Sequence, residues 1–140
     1  MSYDFPWNYS DVVSDPEDVE HYYFEHNMYI DHTVRSEYYN LVGDNFLRYL
    51  PEFRALVRLR AIMFTRTPSV FVHRHHQDFN FPHKGALVYI NTNDGGTALE
   101  DGTIIPSVEN RVLLHDPSQL HASTTCSDAK RRIVLVANYL

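Results

Sequence analysis

The sequence has a single cysteine, Cys126, which excludes an internal disulfide and suits a reducing compartment. It also lacks any apolar run near the ~20 residues that a membrane helix needs. The start of the chain has neither the basic segment nor the apolar segment of a secretory leader. We therefore expect a cytoplasmic protein that is not inserted in a membrane.

Basic residues are outnumbered, because 12 lysines and arginines face 18 aspartates and glutamates and give a formal net charge of -6. A protein with a broad nucleic-acid footprint normally shows a basic surface. The composition therefore disfavours nucleic acid as a partner, although a local basic groove stays open. Histidine is abundant, with nine in 140 residues, and it is the commonest metal ligand.

The composition and residue pattern of the sequence change near residue 55, but no linker, repeat or low-complexity segment divides it. We interpret residues 1–140 as one domain, since the most frequent domain size is about 100–150 residues. Residues 1–55 are acidic and aromatic and predict a supporting region of helices and loops. Residues 56–140 predict a β core.

Two helices are predicted in the N-terminal region. The first opens at a capping box, Ser14–Glu17, and runs toward Tyr23. The second is capped by Ser36, and its apolar positions end before Pro51. These helices are expected to pack on one face of the β core.

The β core carries short runs rich in β-branched, aliphatic and aromatic residues, separated by turn signals. Many short strands in one small domain predict a sandwich or barrel. The predicted fold class is therefore mainly β with N-terminal helices. The strand candidates are Leu56–Phe64, Val70–His76, Gly85–Asn91, Thr97–Glu100, Arg111–His115 and Arg132–Asn138.

The densest polar cluster in a β context is His73–Asp78. Because side chains alternate along a strand, His76 and Asp78 point to the same side and can bind one ion. A second imidazole from elsewhere would complete the 2-His-1-carboxylate arrangement of non-haem Fe(II) sites, which leaves coordination positions open. The tripeptide alone is weak evidence, since nine histidines and eleven aspartates supply about 0.7 such triplets by chance.

The last apolar strand begins with two arginines, Arg131 and Arg132. Arginine is almost never buried without a partner, and a dicarboxylic acid would supply one through two parallel hydrogen bonds. Arg132 shares a strand face with Val134, Val136 and Asn138, and Arg131 points to the other face. A one-residue slip would exchange the faces, so Arg131 stays an alternative anchor.

The order and spacing of several blocks resemble the 2-oxoglutarate and Fe(II)-dependent oxygenase superfamily, on its prolyl-hydroxylase-like side. The sequence looks closest to short members encoded by bacteriophages and marine viruses, whose start the opening Phe5–Trp7 also resembles. The resemblance runs from about Leu56 to the C-terminus, roughly 60% of the chain. The matching blocks are His76–Phe79, Pro82–Thr97, Asn110–Ser123 and Arg132–Val134.

The resemblance implies a double-stranded β-helix, a cupin-like jelly roll of two facing sheets. It implies Fe(II) ligands at His76, Asp78 and His121. It also implies that Arg132 and Tyr89 hold the distal carboxylate of 2-oxoglutarate. Phe64 departs from the pattern of several prolyl hydroxylases, which have a second co-substrate tyrosine about there; phenylalanine cannot donate that bond. The implied cofactors are Fe(II), 2-oxoglutarate and O2, with ascorbate as an accessory reductant.

The implied reaction decarboxylates 2-oxoglutarate to succinate and carbon dioxide and hydroxylates a substrate C–H bond. The Asp78 carboxylate favours hydroxylation over halogenation, because halogenating relatives lack it. Peptidyl proline is the favoured substrate on family analogy; another side chain, a nucleobase or a small metabolite also fits. A Zn or Mn isomerase or hydrolase on a cupin-like barrel and a non-catalytic module stay open as alternatives. For a virus-encoded protein the compartment would be the host cytoplasm.

The remaining polar residues have packing or surface interpretations. Arg58 and Arg60 alternate with apolar positions and predict a solvated face, with the substrate groove as the alternative. Cys126 has no base beside it and is expected to be inert. His73 and His75 have the opposite strand parity to His76 and predict surface or supporting roles. Non-ligand roles are predicted for His73, His75, His83 and His115.

Overall fold

The computed structural model describes residues 4–14, 16–17 and 21–140. Within these ranges the chain forms ten strands, one α-helix and one 3₁₀ helix. Neither helix in this part of the chain has the length and apolarity of a membrane span. In chain order the elements are β1 (Asn8–Ser10), β2 (Tyr23–Ile30), β3 (Thr33–Val34), α1 (Tyr38–Asn45), the 3₁₀ helix Leu47–Tyr49, β4 (Leu56–Thr65), β5 (Lys84–Tyr89), β6 (Gly96–Leu99), β7 (Ile104–Pro106), β8 (Val112–His115), β9 (His121–Ser123) and β10 (Arg131–Tyr139).

The strands form two antiparallel sheets. The larger sheet has the order β1-β2-β4-β10-β5-β8, with β3 paired to β2, and the smaller sheet has the order β7-β6-β9. Strand β10 is central, since its Val134 lies opposite Ile62 of β4 on one side and Tyr89 of β5 on the other. The sheets meet face to face where the Tyr89 hydroxyl donates to Thr97 of β6.

The central strands β4, β5 and β10 are apolar along most of their length because both faces of the larger sheet are covered. The outer face packs beneath α1 and the 3₁₀ helix. Each fully buried aliphatic side chain contributes about 1.5–3 kcal/mol to stability. The inner core consists of Val13, Tyr23, Ile62, Phe64, Leu87, Tyr89, Val134 and Val136. The outer core consists of Met28, Leu47, Leu50, Leu59, Ala61, Ala86, Ala137 and Tyr139.

The expectation of N-terminal helices is largely wrong, since the described part of residues 1–55 has one short α-helix and three strands. The helix predicted from Ser14–Glu17 includes positions 15 and 18–20, which lie outside the described residues. Its expected end, Tyr23, instead begins β2, which pairs with β4. From Tyr23 onward, pairing with β4 determines the backbone conformation.

The second predicted helix is confirmed in position. It begins at Tyr38 with Glu37, and not Ser36, at the N-cap position; the Ser36 hydroxyl still accepts a hydrogen bond from the Tyr38 N–H at 3.2 Å. The 3₁₀ helix continues it, and the chain becomes extended at Leu50, just before Pro51.

Five of the six predicted strands have counterparts in β4, β5, β6, β8 and β10. The sixth, Val70–His76, is wrong as a regular strand, because it makes only isolated bridges: Val72 with Thr124, and His76 with His121. The two bridges are four positions apart on one segment and three positions apart on the other, so the pairing shifts by one residue and the ladder breaks. The sequence signals missed β1, β2, β3, β7 and β9, of which only β2 exceeds three residues.

Gly95 tests how tightly the backbone packs beside the smaller sheet, and Gly43 in α1 is the comparison. A Cβ at Gly95 would lie 2.3 Å from the Thr125 backbone oxygen, whereas a Cβ at Gly43 in α1 would meet only Leu47 Cδ1 at 3.7 Å. Gly95→Ala should therefore lower the free energy of unfolding by about 1–3 kcal/mol. Gly43→Ala should raise it by about 0.5–1 kcal/mol, since alanine restricts the unfolded chain. Urea denaturation of both variants is the check, and parental stability in Gly95→Ala would contradict the packing.

Candidate functional site

Backbone pairing brings His76 and His121 together. The His76 N–H donates to the His121 carbonyl at 2.8 Å, and the His121 N–H donates to the His76 carbonyl at 3.0 Å. Directly opposed residues of such an antiparallel bridge project their side chains to the same side. The two imidazole ring centres accordingly lie 4.6 Å apart.

Backbone carbonyls determine which nitrogen of each ring is available. The Nδ1 atom of His121 lies 3.0 Å from the Gln119 oxygen, and Nδ1 of His76 lies 3.4 Å from the Arg74 oxygen. A carbonyl oxygen only accepts, so Nδ1 of each ring carries a hydrogen, and Nε2 keeps its lone pair when the ring is neutral. Burial also lowers the pKa of His121, which favours the neutral form that binds a metal.

Asp78 adds a carboxylate to the pair of imidazoles. Its backbone N–H donates to the Pro117 oxygen at 3.0 Å, which holds it beside the segment leading into β9. Its Oδ1 atom lies 3.7 Å from His76 Nε2. Ligand atoms of His76, Asp78 and His121 all lie within 4.8 Å of one another. The structure thus brings the three predicted ligands into one converging group.

The Asp78 carboxylate carries its charge in a nearly buried place, with 7% of the side chain exposed. Burial raises its pKa, but the His76 ring, the Arg58 and Arg60 charges and the Asn138 amide lower the pKa by more, to well below its ordinary value. The group is therefore ionised at neutral pH. Two imidazole nitrogens and a carboxylate oxygen form a donor set that fits a divalent transition metal, including Fe(II).

Arg132 is fully buried between the sheets. It donates to the Thr124 oxygen at 3.3 Å and to Thr97 Oγ1 at 3.4 Å. The guanidinium carbon lies 5.2 Å from the Phe64 ring centre and 5.6 Å from that of Tyr89. Within the described ranges its Nε has no hydrogen-bond partner and no carboxylate pairs with it. Burial lowers its pKa to about 10, so it stays charged.

A single cavity connects the two ends of the site. His76, Asp78 and His121 border it together with Arg132. Arg131, the alternative anchor, lies exposed on the opposite face of β10, as strand alternation requires. Between the polar ends the cavity wall is mostly apolar, with Ile62, Leu87, Val134 and Val136.

The Tyr89 hydroxyl points toward the smaller sheet. It donates to Thr97 Oγ1 at 2.8 Å and lies 3.3 Å from the Ile105 oxygen. Thr97 borders the cavity and receives hydrogen bonds from both Tyr89 and Arg132, which leaves its own hydroxyl hydrogen for another acceptor. Phe64 also borders the cavity, where it contacts Arg132 through its ring. Sequence reasoning missed Thr97, because a threonine in a strand carries no signal by itself.

The other histidines of the β core divide between surface and core. His75 is exposed, whereas His73 is buried with its ring centre 5.5 Å from that of Phe64. Of the two predicted roles, His75 has the surface one and His73 the supporting one; the one-residue shift between the two bridges accompanies the inward position of His73. Among the described residues the converging donor group excludes His73, His75, His83 and His115.

The prediction of a solvated face for Arg58 and Arg60 is wrong. Their side chains are only 11% and 14% exposed. Arg58 lies 3.0 Å from Asp78 Oδ1, and Arg60 lies 3.0 Å from Glu25 Oε2. This face of β4 borders the space between the sheets, where charges are stable only in pairs.

Cys126 is buried, and burial raises the pKa of its thiol, which lowers its reactivity.

Comparisons with known proteins identify the fold. No protein-family model matches the sequence, and no curated protein matches it. An oxidoreductase of the 2OG-Fe(II) oxygenase family from Burkholderia pseudomallei has a TM-score of 0.65 at 16% identity, covering 88% of this chain and 70% of that one. A prolyl-4-hydroxylase from Pseudomonas putida has a TM-score of 0.58 at 14% identity, covering 95% of this chain and 76% of that one.

A third solved structure, an RmlC-like cupin protein from Desulfovibrio desulfuricans, has a TM-score of 0.43 at 20% identity, covering 65% of this chain and 92% of that one. At the identities of the first two structures the likeness shows a shared fold. The resemblance to viral members stays a prediction.

His115 borders the cavity, and its buried ring predicts how the stability of the protein depends on pH. Its two ring nitrogens are buried, and within the described part of the chain neither makes a hydrogen bond of normal geometry. Burial, and next the charge of His121, lowers its pKa from 6.5 to about 4. The folded state therefore holds the neutral ring, and the unfolded state binds more protons between these two pH values. The metal-free protein should lose stability as pH falls from about 6.5 to about 4.

The substitution His115→Leu should remove up to about 3 kcal/mol of that loss. Urea unfolding of both metal-free proteins at neutral and at mildly acidic pH gives the comparison. If His115→Leu and the parent lose the same stability on acidification, the buried neutral ring is not the cause.

Proposed function

We propose that this protein is an Fe(II)- and 2-oxoglutarate-dependent dioxygenase that hydroxylates a C–H bond and releases succinate and carbon dioxide. The observation that carries the proposal is one cavity with three converging metal donors at one end and a fully buried arginine at the other. A buried guanidinium without an anion is costly. A dicarboxylate that also binds the metal would satisfy both ends at once.

The two ends have separate tasks in this proposal. His76, His121 and Asp78 would hold Fe(II), and Arg132 would bind the distal carboxylate through charge-assisted hydrogen bonds. Thr97, oriented by the Tyr89 hydroxyl, would donate to the same carboxylate. Bound iron supplies the activation of O2 that C–H oxidation requires, with ascorbate as an accessory reductant.

The apolar residues in the middle of the cavity would keep water out of the site. Ile62, Leu87, Val134 and Val136 border the space between the metal donors and Arg132. Such walls exclude water, which strengthens the ionic contacts of a bound co-substrate and protects the reaction from competing water.

We assign the two facing sheets to a double-stranded β-helix, the jelly roll. The oxygenase-family and prolyl-4-hydroxylase structures, with TM-scores of 0.65 and 0.58, support this assignment at the level of fold. Residues 1–140 then form one domain. In it, residues 56–140 form the β core, and the described part of residues 1–55 adds β1, β2 and β3 to the larger sheet and α1 to its outer face.

We propose a peptide or protein substrate, with peptidyl proline first and a small molecule as the alternative. A groove beside His76 and Asp78 supports a substrate site next to the metal; Val12, Ser14 and Pro16 also border it. The net charge of -6 argues against nucleic acid. We place the protein in the cytoplasm, or the host cytoplasm if it is viral, where reducing conditions would keep iron ferrous.

Succinate formation tests the proposal. With Fe(II), 2-oxoglutarate, ascorbate and O2, the wild type should release succinate, and His76→Ala should abolish release by deleting a metal ligand. Arg132→Met should raise the KM for 2-oxoglutarate about 10–100-fold, because it removes hydrogen bonds to a charged group. Arg131→Met is the matched control and should leave this KM unchanged, since Arg131 is exposed.

Two outcomes would favour the alternatives. Equal, negligible succinate from wild type and His76→Ala would point to a non-catalytic module on this fold. An anaerobic Fe(II) protein whose absorption spectrum does not respond to 2-oxoglutarate would point to a Zn or Mn isomerase or hydrolase.

A second test separates Thr97 from Tyr89 as the hydroxyl that contacts the co-substrate. Thr97→Val keeps the shape and removes the hydroxyl, so the KM for 2-oxoglutarate should rise about 10-fold. Tyr89→Phe removes only the group that orients Thr97 and should have a smaller effect. Steady-state kinetics of both variants decide this. A larger rise in Tyr89→Phe would assign the direct contact to Tyr89.

A further inference from the structure

Asn138 lies fully buried near the end of β10, where it connects three other polar side chains. Its Oδ1 accepts from Arg58 Nε at 3.0 Å, and its Nδ2 donates to Asp78 Oδ2 at 2.8 Å. The same Nδ2 donates to His83 Nε2 at 3.2 Å. Arg58 Nη2 and Asp78 Oδ1 form an ion pair at 3.0 Å, which completes a ring of contacts among the three residues. Arg58 and Asn138 together therefore hold both oxygens of the Asp78 carboxylate.

Only one assignment of donors and acceptors fits these contacts. Arg58 can only donate and ionised Asp78 can only accept, so the Asn138 amide oxygen faces Arg58 and its nitrogen faces Asp78. His83 Nδ1 lies 2.8 Å from the Phe81 oxygen and carries the ring hydrogen, which leaves Nε2 as an acceptor. Each polar atom of the Asn138 side chain thus has a partner, a condition under which a buried polar network is rigid.

The loop that carries Asp78 gives the carboxylate little support of its own. Residues 66–83, which join β4 to β5, form isolated β-bridges but no regular strand. The hydrogen bond from the Asp78 N–H to Pro117 fixes the backbone but leaves the side-chain torsions unconstrained. Arg58 also lies over the ring of Phe79, with its guanidinium carbon 4.9 Å from the ring centre. Arg58 therefore contacts two consecutive residues of this loop.

We propose that Arg58 and Asn138 are positioning residues that orient the Asp78 carboxylate before an ion binds. Asn138 holds Oδ2, so Oδ1, which lies 3.7 Å from His76 Nε2, is the oxygen directed at the histidines. The inference rests on the metal site of the proposed function and assigns part of its affinity to residues that do not touch the ion. Outer partners of this kind change metal affinity about 10–100-fold.

Arg58 affects metal affinity in two opposite ways, by orienting Asp78 and by its positive charge. A guanidinium beside the ligand oxygen repels a divalent cation, so removing its charge alone would strengthen metal binding. Removing its hold on Asp78 would weaken binding. Arg60 is the matched control, because it carries the same charge two residues along the same face of β4 but pairs with Glu25.

The experiment measures Mn(II) binding, without 2-oxoglutarate, to the wild type, Arg58→Met and Arg60→Met. Isothermal titration calorimetry gives each dissociation constant, and thermal unfolding of the metal-free proteins shows that they are folded. Arg58→Met should bind Mn(II) about 10–100-fold more weakly than wild type. Arg60→Met should bind as tightly or more tightly. Unchanged or tighter binding by Arg58→Met would overturn the positioning role, and so would equal weakening in both variants.

Arg58→Lys decides the question if Arg58→Met does not fold. Lysine keeps the charge but lacks the planar fork that reaches Asn138 and Asp78 together, so binding should weaken about 3–10-fold. Wild-type affinity in Arg58→Lys would overturn the inference while the metal site stands. Failure of the wild type itself to bind Mn(II) would overturn the metal site and this inference with it.

Discussion

The charge of Arg132, buried completely between two sheets, is the constraint on which the rest of the site depends. A guanidinium in such a place needs compensating groups around it. Two aromatic faces, from Phe64 and Tyr89, and two oxygen acceptors, from Thr97 and Thr124, surround it. None of these groups is an anion, so the cavity beside Arg132 is the place where a carboxylate has the most to gain. Ligand binding and stabilisation of the fold are coupled there.

Charge is distributed along one face of the larger sheet. Arg58 lies opposite Asn138 at one end of the β4–β10 ladder, and Phe64 lies opposite Arg132 at the other. At the first end the chain supplies its own carboxylate, Asp78, which doubles as a metal ligand in our account. At the second end no carboxylate of the described residues is supplied. In the proposed function, the same register would present a cation-binding end and an anion-binding end to one cavity, as a chelating dicarboxylate requires.

The mainly β fold and the inward side of the last strand could be predicted, because β10 is long and apolar and its alternation separates Arg132 from Arg131. The three candidate ligands also lie together, although the regular strand expected at Val70–His76 is absent. Arg58 and Asn138 could not be predicted as partners of Asp78. The same alternation of charged and apolar residues occurs in a strand with a solvated face and in a strand that borders a polar cavity. Only the long-range strand register distinguishes these two structures.

The central claim is that one cavity binds a metal ion and a dicarboxylate together. A crystal structure with Mn(II) in place of iron and a non-reacting 2-oxoglutarate analogue tests it most directly. We predict Mn(II) bonded to His76, Asp78 and His121, and the distal carboxylate within hydrogen-bond distance of Arg132 and Thr97. An ion held by other residues, or an analogue carboxylate that does not contact Arg132, would contradict the account.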